Sequence, residues 1–272
     1  MKGKQLGFSL IELLIVMTIM LVVSAAVFGL VITAQTRYRS EQMFMDSLQG
    51  ARLGMEMMVR DIRNAGYPPP YTFAGNLAQQ PAGPTPPLPY PVGIWTVPND
   101  APDAVEARFA VGVVGVFGGL YSPTCVVGPA GTCAIPNAWD LILELDTNPP
   151  SGTVEWVRYT LLAPVAPATA STLVRTVSMK TPGTNPAAAQ TLVPLVEDVV
   201  QNPTLAVDAA NNPPVFTYEC DPAKLIGTNC LAEDIKTVYI ALRVQSARMD
   251  LDTRRQRRIT IQGAASRLNP SR

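Results

Sequence analysis

The sequence predicts an α+β protein: one long N-terminal helix, apolar and then amphipathic, packed on an antiparallel β-sheet domain. Three observations carry this. An uncharged apolar run opens the chain, a proline-free amphipathic stretch continues it, and short alternating segments between Pro/Gly-rich turns fill the rest. The order is one helix, then strands, with no internal repeat.

The helix comes first. Leu13 to Ile32 is twenty residues without a charge, about the length of helix that crosses a bilayer core. Lys2 and Lys4 precede it, and that positive head keeps the N-terminus cytoplasmic and places the rest across the membrane. Glu12 is the anomaly. An ionised carboxylate a turn inside an apolar helix is costly until it finds a partner.

Beyond Ile32 the chain stays free of proline to Gly66. Phe44, Leu48, Ala51, Met55, Met58, Val59, Ile62 and Ala65 recur at steps of three and four, an apolar stripe on a helix. Arg52, Glu56 and Arg60 follow one another at four-residue steps and support the outer face. Gly66 and Pro68-Pro69-Pro70 end the element. From Phe8 to Ala65 such a helix is about 87 Å long, and lipid covers only its first third. The stripe after Met43 needs another cover, most simply a sheet of the same chain. Glycines at 29, 50 and 54 each weaken the helix by about 1 kcal/mol relative to alanine.

Residues 67–103 hold eleven prolines and read as an extended connector. Strand patterns follow at Ala107–Phe117, Asp140–Asp146, Thr153–Leu162, Thr172–Lys180, Val215–Tyr218, Ile235–Ala247 and Arg258–Gln262. Thr172–Lys180 is the expected hairpin partner of Thr153–Leu162. Leu192–Val200 fits a short helix or a strand interrupted by Pro194. The expected organisation is 1–7 leader, 8–66 helix with its transmembrane part at about 8–33, 67–103 connector and 104–272 sheet domain.

The start of the chain carries the most specific signal. A secretory signal has its small-residue cleavage site after the apolar run. Here the candidate cut, Gly7-Phe8, lies before it, so cleavage removes seven polar residues and keeps the helix. It also creates an amino group at Phe8, one turn from Glu12. Residues 7–13, G-F-S-L-I-E-L, with the apolar run behind them, resemble the prepilin leader of type IV pilins and type II secretion pseudopilins. The resemblance implies cleavage after Gly7 by a membrane prepilin peptidase and N-methylation of Phe8. It implies that Glu12 pairs with the terminal amine of a neighbouring subunit and so sets register in a filament. Met58 to Tyr67 (MVRDIRNAGY) and the late strands around Val238–Val244 and Ile259–Ile261 resemble, more loosely, the large PilW-type minor pilins and the J-type pseudopilins. That implies an inner-membrane anchor with a periplasmic domain, later built into a filament. Other pilins, the peptidase and an inner-membrane assembly platform are the implied partners.

Composition narrows the chemistry. The chain has 272 residues, 21 basic and 21 acidic, and no histidine. Histidine-based catalysis and histidine metal sites are excluded. No nucleophile elbow, P-loop or H-E-x-x-H is present. Glu197-Asp198 and Glu233-Asp234 lack the spacing of a calcium loop and read as solvated turns. A structural protein is expected, with no catalytic residue, cofactor or metal.

Cys125, Cys133, Cys220 and Cys230 all follow the membrane segment, on the oxidising side. Four cysteines allow three pairings, and spacings of eight and ten favour the local ones. Arg254, Arg255, Arg257 and Arg258 are the strongest charge cluster, diluted by Asp250 and Asp252. A solvated hairpin tip is the simplest reading; a partner contact and a nucleic-acid contact are the alternatives. A rival to the assembly reading is a filament-borne adhesin or DNA receptor, with its site near Trp95 and Trp139 or the arginines.

Overall fold

A computed structural model describes residues 9–66, 109–114, 125–148, 154–180, 186, 191–246, 249 and 255–268. The expected leader, the Pro-rich connector and Trp95 lie outside the described residues. The chain divides into two compact units, residues 1–46 with 246–257, and residues 47–245 with 258–272.

Helix α1 runs Leu10–Asn64. In the second unit it buries Leu48, Ala51, Gly54, Met55, Met58, Asp61 and Ile62. The apolar periodicity foresaw five of these. Gly54 and Asp61 belong to the same face without being apolar. A Cβ at Gly54 would collide with Val196, so glycine is what lets the helix backbone approach the sheet. Gly66, at φ 76°, ends the helix in the left-handed region, and its N–H donates to the Glu144 carbonyl at 2.8 Å.

Among its described residues the second unit holds nine strands: β1 Val126–Val127, β2 Asp140–Leu145, β3 Glu155–Leu162, β4 Ser171–Met179, β5 Val193–Val199, β6 Phe216–Cys220, β7 Cys230–Leu231, β8 Ile235–Gln245 and β9 Arg258–Ser266. Seven form one antiparallel sheet in the order β2-β3-β4-β5-β8-β6, with β9 on the other edge of β8. The expected hairpin is β3–β4, in register from Glu155↔Met179 to Leu162↔Thr172. The ambiguous 192–200 segment is a strand. Irregular pairing with β4 accommodates Pro194 there. The expected strand at 107–117 is corrected: its described part, 109–114, makes only isolated bridges, Ala110↔Leu143 and Val113↔Ile135. Strand β9 runs four residues past the expected end. Gly263, Ala264 and Ala265 are poor strand formers in isolation, but a Cβ at Gly263 would lie 2.8 Å from Met55 Sδ, so the close helix explains the glycine.

Strand β8 joins two halves of the sheet. One edge pairs with β9 throughout; the other is shared by β5, through Val199↔Val244, and by β6 from Phe216↔Ile240 onward. Gln201, fully buried, fills the gap between them. Its amide accepts from Arg243 N–H at 2.8 Å and donates to the carbonyls of Ala241 at 2.6 Å and Pro213 at 3.2 Å. A side chain thus takes the place of a ladder peptide.

Each face of the sheet has a cover. On one, Ala51, Met55, Met58 and Ile62 of the helix pack with Leu143, Tyr159, Leu173 and Leu242. On the other, Val111, Val113 and Ile135 pack with Ile142 and Trp156. Both faces hold polar groups. Tyr159 donates to Asp61 Oδ2 at 2.6 Å, and Arg175 donates to the same oxygen at 2.9–3.0 Å, which ties the helix to β3 and β4. On the opposite face Lys180 pairs with Glu144 at 2.9 Å, and Trp156 Nε1 donates to the same carboxylate. This pair is buried, so removing one partner leaves the other without its counter-charge out of water.

Disulfides join Cys125 to Cys133 and Cys220 to Cys230. The two small loops are sewn together by β1–β7, where Val126 faces Leu231 and Val127 faces Cys230.

Candidate functional site: the N-terminal helix

In the first unit, α1 presents apolar side chains outward along its length. Leu10, Leu14, Met17, Leu21, Phe28 and Ile32 are all exposed. This helix is long and apolar enough to cross a membrane. Its three threonine hydroxyls bond inside the helix, as a hydrocarbon environment demands. The hydroxyls of Thr18, Thr33 and Thr36 donate to the carbonyls of Leu14, Gly29 and Ile32, at 2.8–2.9 Å.

Glu12 sits in the first turn. Its Oε2 accepts from the Ser9 N–H at 3.1 Å, while the Ser9 carbonyl accepts from the N–H of Glu12 and Leu13. Ser9 is therefore the N-cap and Glu12 the third helical residue, the reciprocal half of a capping box. The spacing S-x-x-E was the legible signal for this. The bond fixes the carboxylate on the first turn, and the negative charge suits the positive end of the helix. A single amide hydrogen bond does not neutralise a carboxylate. Gly7 and Phe8 lie outside the described residues.

The other expected sites are distributed differently. Arg254 lies outside the described residues. Arg255, Arg257 and Arg258 are exposed, and Arg257 lies 3.9 Å from Glu41 within the first unit. Trp139 is half-buried, packed against the main core. The expected turn at Glu197-Asp198 is corrected: both residues lie in β5, where its pairing with β4 shifts register and Asp198 takes φ 57°. Burial and the neighbouring Glu197 raise the Asp198 pKa. Asp234 is buried at a 3-10 turn beside Glu233. Among the described residues no three acidic or cysteine side chains converge on a point that would hold a metal.

The prokaryotic N-terminal methylation motif matches residues 2–28. The chain is type IV pilin-like. The motif covers the candidate cleavage pair Gly7-Phe8, Glu12 and most of the apolar run. The pilin-like arrangement covers the rest: a long helix whose second part lies under an antiparallel sheet. Comparison with curated proteins gave no match, and comparison with solved structures gave none.

Proposed function

We propose that this protein is a minor pilin or pseudopilin of a type IV pilus-like filament. The observation that carries the reading is the methylation motif over 2–28, set on an apolar helix whose outward face nothing in its own unit covers. A prepilin peptidase cuts after Gly7, Phe8 is methylated, and the apolar helix anchors the chain in the inner membrane. The N-terminus is cytoplasmic and the sheet domain periplasmic. The subunit then passes through an inner-membrane platform into a filament, where its helix packs against those of other pilins. At this size a low-copy role in initiation or near the tip fits better than bulk polymer. The protein works by assembly and needs no catalytic group or cofactor.

Glu12 supplies register. In the unassembled subunit its carboxylate has the Ser9 amide. In the filament a neighbour's Phe8 amine adds a full counter-charge, in a low dielectric that strengthens the attraction. The pair rewards one axial offset and penalises others.

Mass spectrometry of the mature chain should find methylated Phe8 at its N-terminus. A start at Met1, or a cut beyond the apolar run, would sink the reading. Glu12→Ala should leave cleavage and the sheet domain intact and lower the share of protein recovered in sheared filaments.

A further inference from the structure

Strand β6 has one edge only partly used. Thr217 and Glu219 point their backbone groups at β8, opposite Tyr239 and Thr237. Backbone direction alternates along a strand, so Phe216 and Tyr218 point away. The Phe216 N–H donates to the Ala138 carbonyl at 3.1 Å. Among the described residues, the Phe216 carbonyl and the Tyr218 N–H and carbonyl have no backbone partner.

This edge opens on a trough of about 650 Å³. One wall is the 126–131 loop with Pro136, the other is β6, and Val207 and Leu225 stand at the rim. No lining residue is charged. Val207 is 52% exposed and Leu225 47%, with Leu205 and Ile226 also exposed nearby in the chain. An apolar, uncharged concavity of this kind is unusual on a solvated surface. Its walls are fixed: a disulfide braces each side, β1–β7 joins them, and Tyr218 donates its hydroxyl to the Asn137 carbonyl across the floor at 2.7 Å. A pre-shaped site loses little ordering entropy on binding.

We propose that this trough takes an extended, uncharged segment of a partner polypeptide, which adds as a strand to the free edge of β6. The backbone groups select the occupant. A lipid chain would cover the apolar wall but leave the Tyr218 N–H and carbonyl unpaired out of water, a cost an extended peptide avoids. A charged segment would lose its hydration against a lining with no counter-charge. The site is independent of processing at Gly7, so a failure of one reading leaves the other standing.

The test uses the full chain in detergent micelles and a labelled octapeptide of alternating threonine and valine. Two further peptides carry N-methyl groups on one or the other alternate set of amides, and a fourth has aspartate in place of valine. The plain peptide should bind below about 1 mM and slow hydrogen exchange of the Tyr218 amide at least about tenfold. One N-methylated peptide and the aspartate peptide should bind at least about tenfold more weakly. Val207→Asp and Leu225→Asp, at exposed rim positions, should weaken the plain peptide similarly. Binding indifferent to both N-methyl patterns would reveal apolar adsorption and overturn the proposal. So would no binding, or an unchanged Tyr218 amide. Self-association that protects Tyr218 without peptide would assign the trough to a second copy and overturn it too.

Discussion

The two halves of helix α1 solve the same problem in opposite ways. Each carries an apolar face and a carboxylate. In the second half the chain supplies the answers: the sheet covers Met55, Met58 and Ile62, and Tyr159 and Arg175 hold Asp61. In the first half the apolar side chains are exposed, and among the described residues Glu12 has one amide hydrogen bond. A carboxylate completed within its own fold belongs to stability. One with a single described bond on an exposed apolar helix fits the pairing with a neighbouring subunit proposed above.

The sharpest way to break that contrast is to remove each carboxylate. Asp61→Ala strands a half-buried guanidinium and a buried phenol, and should cost the sheet domain about 3 kcal/mol. Glu12→Ala should leave the same urea midpoint unmoved. Equal effects of the two substitutions would dissolve the distinction.

Glycines sharpen it at the level of packing. Gly54→Ala drives a methyl into Val196, and should destabilise the domain by about 1–3 kcal/mol. One turn earlier Gly50 has nothing within 4 Å of a built Cβ. Gly50→Ala should therefore stabilise by up to about 1 kcal/mol, the smallest effect expected here. Thermal melts of the two variants should move in opposite directions.

Between these lies a pH effect confined to the covered half and its sheet. Burial, and then the charge of Asp61, raise the Tyr159 pKa above its ordinary 10.0. Burial and Asp140 do the same for Tyr218. The neutral phenols are favoured in the fold, so their contribution is complete below pH 10 and is lost as pH rises beyond it. Stability should fall above about pH 10 by up to about 1.4 kcal/mol per pH unit for each group. Tyr159→Phe should flatten that slope, as urea midpoints between pH 8 and 12 would show.

What the sequence disclosed follows the same division. The apolar run, Glu12 and the G-F-S-L-I-E-L motif were legible because lipid and processing impose local patterns. The stripe from Leu48 to Ala65 was legible because a sheet imposes period 3.6. Asp61 and Gly54 escaped because their place depends on Tyr159, Arg175 and Val196, residues more than ninety positions away. The same distance hid the end of β9, where Gly263 makes sense only beneath Met55. The two-residue strands β1 and β7 are too short for any periodicity, and the disulfide loops they join give no sign of each other. The S-x-x-E spacing from Ser9 to Glu12 is a local pattern of the same kind, and it marks the cap.

Gln201 has a consequence for how the domain bears load. A subunit held in a polymer by its helix is pulled through its sheet, and force follows the backbone ladder. Between β5 and β6 that ladder is interrupted, and the Gln201 amide spans the break beside the Val199↔Val244 pair and the bond from Val200 N–H to the Arg243 carbonyl. The meander β2–β5 and the β6–β8–β9 trio are therefore two plates joined along a short seam, with long ladders within each and few ladder bonds between. Shortening Gln201 would leave the ladders of each plate whole and weaken the seam between them first.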